Sequence, residues 1–169
     1  MTDQQPVVAY LGIGANLGDC RQTLVWARQQ LTRVGVEVVA SSPLYRTTAV
    51  GGPAEQPDYL NAVLQVQTRH DPEALLACCL EIEQQAGRTR DIHWGPRTLD
   101  LDVLLYGDQC LDLAHLTVPH PRLHVRRFVL EPLCQLAPQL IHPRLNQTMI
   151  TLLTQLDDND AVDCIEEQW

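Results

Sequence analysis

The apolar positions of the chain switch between two periods, and the switches mark out its elements. Val7 to Ile13 is an unbroken apolar run, as a buried strand requires. Leu24, Ala27, Leu31 and Val34 then recur at helical spacing, with Asp19 placed as a cap, Gln22 as its capping-box partner and Gly35 as the stop. Val36 to Arg46 is rich in β-branched residues and is broken by Ser41-Ser42-Pro43. Tyr59 to Thr68 alternates, with Leu60, Ala62, Leu64 and Val66 on one face and Tyr59, Asn61 and Val63 on the other. Asp71-Pro72-Glu73 opens a second helix, whose stripe is Leu75, Leu76, Cys79, Ile82 and Ala86 and whose stop is Gly87. Finally Leu99, Leu101, Val103 and Leu105 alternate with Asp100, Asp102, Leu104 and Tyr106, which predicts a strand over 98–106 closing at the turn dipeptide Gly107-Asp108.

Beyond this point the signals shorten. Leu116 to Pro121 reads as extended, and Arg126 to Leu136 as helical but cut into short pieces by Pro132. Thr148 to Leu156 reads as a last helix. Asp157 to Trp169 is acidic and weakly apolar, and is expected as a solvated or frayed tail. The order strand, helix, strand, strand, helix, strand is a split βαβ pattern. The expected class is α+β: a ferredoxin-like βαββαβ core, a mostly antiparallel sheet packed with helices, and short helices at the C-terminal end. Residues 1–156 are expected as one domain and 157–169 as its tail. Such a fold hosts unrelated activities, so function has to come from the site.

The alternation places Asp100 and Asp102 on one strand face, about 7 Å apart. Two like charges at that separation repel by roughly 2 kcal/mol at an effective dielectric near 20. Asp is also a poor strand residue. An edge strand with a solvated face would tolerate the pair; a pair of hard oxygen ligands for Mg²⁺ would explain it, because the cation cancels the repulsion.

Charge sharpens that picture. The net charge of the 169 residues is −9, which argues against a nucleic-acid or anionic-membrane partner. Yet residues 88–127 hold six Arg and five Asp, a balance of +1, which leaves −10 for the rest. Arg gathered around two Asp suits a small anion. Every basic side chain is Arg, which excludes a Gly-Lys-Ser/Thr phosphate loop and a Lys Schiff base. The six Cys form no Cys-x-x-Cys pair and follow no secretory signal, so they are expected as reduced thiols of a cytoplasmic protein. No apolar run is long enough to span a membrane. In Gly12-Ile-Gly14-Ala-Asn16-Leu-Gly18 the third glycine comes one residue too late for a dinucleotide fingerprint. Close backbone packing at the strand end is the expected use of these glycines, with Asn16 holding the turn. Two Asp for Mg²⁺, several Arg and no activated nucleophile together suggest phosphoryl-type transfer, which rests on positioning and charge neutralisation.

Four motifs in order then carry a family resemblance: Tyr45-Arg-Thr47, Gln56-Pro-Asp-Tyr-Leu-Asn61, Trp94-Gly-Pro-Arg-Thr-Leu-Asp-Leu-Asp102 and Leu116-Thr-Val-Pro-His120. Together, over roughly residues 7 to 150, they resemble the 6-hydroxymethyl-7,8-dihydropterin pyrophosphokinases of folate biosynthesis. The resemblance implies that ATP donates its β,γ-pyrophosphoryl group to the pterin hydroxymethyl oxygen and leaves as AMP. It implies two Mg²⁺ held by Asp100 and Asp102, and a catalytic group of Arg88, Arg90, Arg97, Asp100 and Asp102. By motif position, Glu83, Arg90, Trp94, Arg97, Val103, Thr117, His120 and Arg126 would serve ATP. Thr47, Thr48, Val50, Tyr59, Asn61, Trp94 and Phe128 would serve the pterin. ATP and the hydroxymethyl dihydropterin would be its only partners, with neither nucleic acid nor membrane, and the chain would act as a monomer.

The chain departs from the family pattern at a few places. The loop between Arg90 and Trp94 is one residue short, His93 and His115 stand where Arg is frequent, Leu80 replaces a polar helix residue and Thr48 replaces a Pro. These changes bear on the ATP contacts. Two other classes fit the residues less well. A metabolite-sensing domain of the same fold would not need two metals. An RNA-binding module would need a basic sheet with exposed aromatics, and this chain has one Phe and a negative net charge.

Overall fold

Val7–Ala15 (β1) sends apolar side chains to both faces, because it becomes an inner strand with helices on each side. The computed structural model describes residues 4–48, 56–87, 98–158 and 160–169. After β1 come α1 (Cys20–Arg33), β2 (Val36–Ser41), β3 (Leu44–Thr47), β4 (Tyr59–Thr68), α2 (Pro72–Gln85) and β5 (Asp100–Tyr106). The sheet order is β5-β1-β4-β3, with β2 also on β4, and every pairing is antiparallel. Treating β2 and β3 as one broken strand gives the ferredoxin-like βαββαβ arrangement expected of the sequence. The break is bridged by Ser42, whose Oγ accepts the Val63 N–H at 2.9 Å while its own N–H donates to Val63 O at 2.9 Å.

Both main helices start as their caps dictate. Asp19 Oδ1 accepts the Gln22 N–H at 3.1 Å, and Asp71 Oδ1 accepts the Ala74 N–H at 2.8 Å. They end at Gly35 and Gly87, both at positive φ. Leu24, Leu31, Leu75 and Ile82 bury the helices against Ala9, Leu11, Ile13, Leu64 and Val66. Each such side chain contributes about 2 kcal/mol, more than the helix propensity of any non-proline residue, so the apolar stripes set where α1 and α2 lie.

The opposite sheet face is covered by α3 (Arg127–Leu136) and α4 (Met149–Thr154). Between β5 and α3 lie the small ladder of β6 (Leu111–Asp112) and β7 (Thr117–Val118) and a short turn of 3₁₀ helix, Leu123–Val125. Gly107-Asp108 does form a turn, but β6 pairs with β7 rather than folding back on β5.

The structure corrects three local expectations. Pro132 does not divide its helix: α3 runs unbroken, and burial of Val129, Leu130, Leu133 and Cys134 outweighs the one backbone bond that proline cannot make. The alternation of β5 fails after Leu104. The pairing with β1 slips between Tyr10 and Leu11, so Leu104 and Leu105 both turn toward α3, and Tyr106 turns to the α1/α2 side. Nor is 157–169 a solvated tail. Val162–Glu166 forms β8, an edge strand on β3, and Trp169 Nε1 donates to Ser42 O at 2.7 Å. Its acidic residues suit the solvent side of an edge strand, which the sequence pattern alone does not distinguish from a free tail.

Candidate active site

The site begins where the apolar face under α3 runs out. Near the helix that face is built from Tyr10, Val63, Leu104 and Leu105. Further along the same strands it is built from Gly12 and Gly14 on β1, Asn61 on β4, and Asp100 and Asp102 on β5. Cross-strand register sets Asn61, Gly14 and Asp100 in one row, and Val63, Gly12 and Asp102 in the next. Neighbours in a row share a face, so the Asp pair and Asn61 flank a middle strand that carries no side chain there. The trough so made is a cavity of about 330 Å³. A Cβ on Gly14 would stand 2.5 Å from Asn61 Oδ1, so the trough exists because residue 14 is glycine.

The cavity brings together Thr47, Thr48, Tyr59, Asn61, Asp100, Asp102, His120, Arg126 and Phe128 among the residues expected at the site. Asn61 is held by its Nδ2, which donates to Oγ1 of the buried Thr47 at 2.7 Å. Asn16 does not hold its own turn. Its Nδ2 donates to Pro57 O at 3.1 Å and to Gln56 Oε1 at 3.4 Å, which ties the end of β1 to the entry of β4.

His120 is fixed from two directions. Its N–H donates to Leu104 O at 2.9 Å, and its Nδ1 accepts the Arg122 N–H at 3.1 Å. The ring proton therefore sits on Nε2. Burial, with Arg126 beside it, pushes the imidazole pKa down to about 4, against a smaller opposing pull from Asp100. His120 is neutral at pH 7 and is a hydrogen-bond donor rather than a charge. Arg126 stacks over Phe128, Cζ 5.4 Å from the ring centroid. Burial lowers its pKa, and the neighbouring Asp102 and Asp100 favour its charge.

The pair Asp100 and Asp102 is an oxygen donor set suited to Mg²⁺, which commonly takes one or two carboxylates and leaves its other positions to phosphate oxygens and water. Among the described residues no group of three or more His, Cys, Asp or Glu is placed to hold a metal ion.

Other expected residues lie elsewhere. Glu83 is buried on the α2 side of β5, where its Oε1 accepts the Leu101 N–H at 2.7 Å. Val103 is in the core under α1 and α2, on the face of β5 opposite the Asp pair. Thr117 is on β7, partly buried and opposite Asp112. None of the three lines the cavity. Val50, Arg88, Arg90, Trp94 and Arg97 lie outside the described residues, as does His93. His115 is at the surface, Nε2 3.3 Å from Glu73, and Leu80 is exposed on α2.

The sequence reading missed Arg122, Val125 and Asp160, which also line the cavity. Arg122 follows His120 by two residues on the loop that β5 anchors. Arg127 is a structural residue bonded to Asp158 at 2.6 Å and Glu131 at 3.2 Å. The floor glycines carried a usable signal, since Gly-x-Gly opposite Asp-x-Asp is what a bare strand beside a polar one looks like. Asp160 carried none.

The profile of the 7,8-dihydro-6-hydroxymethylpterin-pyrophosphokinase (HPPK) family matches residues 10–138. The chain is 44% identical over 155 residues to the 2-amino-4-hydroxy-6-hydroxymethyldihydropteridine pyrophosphokinase of Synechocystis, covering 91% of this chain and 78% of that protein. It is 36% identical to the enzyme of the same name from Haemophilus influenzae, covering 92% and 97% respectively. It also matches the Schizosaccharomyces pombe folic acid synthesis protein fol1 at 41% identity, but spans only 20% of that longer protein. Among solved structures, Plasmodium falciparum HPPK-DHPS superimposes with a TM-score of 0.71 at 14% identity, over 92% of this chain and 43% of that one, which establishes the fold. The profile match, the relatives and the shared fold agree: the chain belongs to the 7,8-dihydro-6-hydroxymethylpterin-pyrophosphokinase family.

Proposed function

We propose that this chain transfers the β,γ-pyrophosphoryl group of ATP to the hydroxymethyl oxygen of 6-hydroxymethyl-7,8-dihydropterin, giving AMP and the pterin diphosphate for folate biosynthesis. The observation that carries the reading is the bare glycine strand between Asn61 and the Asp pair. It leaves one continuous trough from an amide and an aromatic ring, suited to a flat heterocycle, to two carboxylates and a set of cations, suited to a metal-bound triphosphate.

The chain's own residues supply positioning and charge. Tyr59, Phe128 and the tethered Asn61 hold the ring so that its hydroxymethyl group faces β5. Arg126 and Arg122 present guanidinium donors to phosphate oxygens, and His120 offers a neutral Nε2–H whose orientation is set by its Nδ1 bond. The acceptor oxygen forms a bond to the β-phosphorus, the bond from that phosphorus to the bridging oxygen breaks with its electron pair leaving on AMP, and the hydroxyl proton passes to solvent. Asp100 and Asp102 would hold Mg²⁺, two ions being expected, and the bound cation neutralises charge on the phosphate oxygens. Arg88, Arg90, Trp94 and Arg97 are proposed for the triphosphate side, and Val50 for the pterin side, on motif position. Glu83, Val103 and Thr117 are proposed to act from outside the cavity, Glu83 through the backbone of the metal-binding strand. Residues 1–156 together with the C-terminal strand β8 are proposed as one catalytic unit. It is proposed to act as a monomer, and in the cytoplasm, where ATP is supplied.

Incubation with ATP, Mg²⁺ and the hydroxymethyl dihydropterin tests the reading. AMP is the expected nucleotide product. ADP as the product, or full turnover in the presence of chelator, overturns it.

A further inference from the structure

The end of the chain lies beyond the stretch that matches the family profile, yet it reaches the cavity. Asp158 accepts a hydrogen bond from Arg127 Nε at 2.6 Å, at the first residue of α3. Val162 pairs with Thr47, the last residue of β3. Asp160, between these two anchors in sequence, lines the cavity with Thr47, Thr48, Tyr59 and Phe128. The segment is pinned again further on. Arg21 makes a bidentate pair with Glu166, Nε and Nη2 each at 2.9 Å, and Arg28 lies over the Trp169 ring at 4.4 Å. Such fixing places Asp160 rather than leaving it to drift.

Its place in the sheet says which substrate it serves. β5, with the Asp pair, and β8 stand at opposite edges. Asp160 is therefore at the end of the trough away from Asp100 and Asp102, beside the neutral Thr47, Thr48, Tyr59 and Asn61. A carboxylate there would repel a phosphate but would accept hydrogen bonds from an N–H-rich edge. The amino-bearing edge of a dihydropteridine is such an edge.

We propose that Asp160, held by the C-terminal strand, is a specificity-determining residue of the acceptor site that accepts hydrogen bonds from the amino edge of the pterin. The inference rests on the pyrophosphokinase reading of the cavity. Asp160 is exposed, so its substitution should leave folding intact. In the full chain, Asp160→Asn and Asp160→Ala should raise the pterin KM at least tenfold, with the ATP KM within twofold and Tm within about two degrees of wild type. Asp160→Glu should recover part of the loss. Asp158→Asn, which weakens the anchor on Arg127, should also raise the pterin KM. Calorimetry with the pterin, in the presence of a non-hydrolysable ATP analogue, separates the two readings. If wild type binds the pterin but forms no AMP, the activity reading fails; tenfold weaker binding by Asp160→Asn then still upholds the role of Asp160. Equal affinity in wild type and both variants overturns that role, as does an ATP defect as large as the pterin defect. A wild-type chain that does not bind the pterin overturns both.

Discussion

Gly14 and Asn61 face one another across β1 and β4 so closely that a single methyl group at residue 14 would stand 2.5 Å from Asn61 Oδ1. The amide could yield only by giving up its 2.7 Å bond to Thr47. Gly14→Ala should therefore act as an Asn61 variant made from the neighbouring strand. The expected result is a pterin KM raised at least tenfold, an ATP KM little changed, and a loss of stability of about 1–2 kcal/mol from the displaced hydrogen bond. Steady-state kinetics with each substrate varied in turn, beside urea melts, check it. An ATP defect as large as the pterin defect would show that the glycine serves the whole site.

Asp102→Asn should keep the shape of the strand and remove half of the carboxylate pair. Turnover is expected to fall at least a hundredfold, about 3 kcal/mol of barrier. Mg²⁺ with ATP should raise Tm less in the variant than in wild type, because it binds the native state less tightly. Thermal melts with and without Mg²⁺–ATP, together with one rate measurement, decide between this and a structural role, which would leave turnover nearly unchanged.

His120 links stability to pH. Its imidazole titrates near 4 in the folded chain, against about 6.5 when unfolded, so the unfolded state takes up the proton first on acidification. Its contribution is complete above about pH 6.5 and is lost as pH falls from there toward 4, by an amount on the order of 3 kcal/mol. The buried His142, whose pKa is also lowered by burial, adds in the same direction. Urea midpoints measured from pH 4 to 8 should rise with pH and level off near 7. In His120→Gln the rise should be smaller. An equal slope in the variant would assign the effect to other groups.

Glu83 distinguishes a strand-positioning role from direct contact with ATP. Its Oε1 accepts the buried Leu101 N–H, in the strand between the two Asp residues. Glu83→Ala should cost about 2–3 kcal/mol by leaving that donor unpaired, whereas Glu83→Gln keeps an acceptor and should lose much less. Melts of the two variants give the answer; equal stability of Ala and wild type would refute the placement.

Much of this protein is legible in its residue pattern, because the elements are set by local rules. Asp19 and Asp71 cap helices, Gly35 and Gly87 end them, and the alternation from Tyr59 to Thr68 makes a strand with two faces, all read from neighbours a few residues apart. Asp100 and Asp102 were legible for the same reason: a period of two and a cost in like charge are local facts. What the sequence could not decide is what depends on partners far along the chain. Leu105 changed faces because β1 slips against β5, a property of two strands some ninety residues apart. Glu83 and Val103 lie behind β5 and Asp102 in front of it because packing, not motif order, assigns the faces. The acidic C-terminal residues look like solvated chain until β3 offers them an unpaired edge, and only that long-range pairing brings Asp160 to the cavity. Residue type and spacing set the chemistry available to the chain; strand register and closure of the sheet decide which of those groups meet.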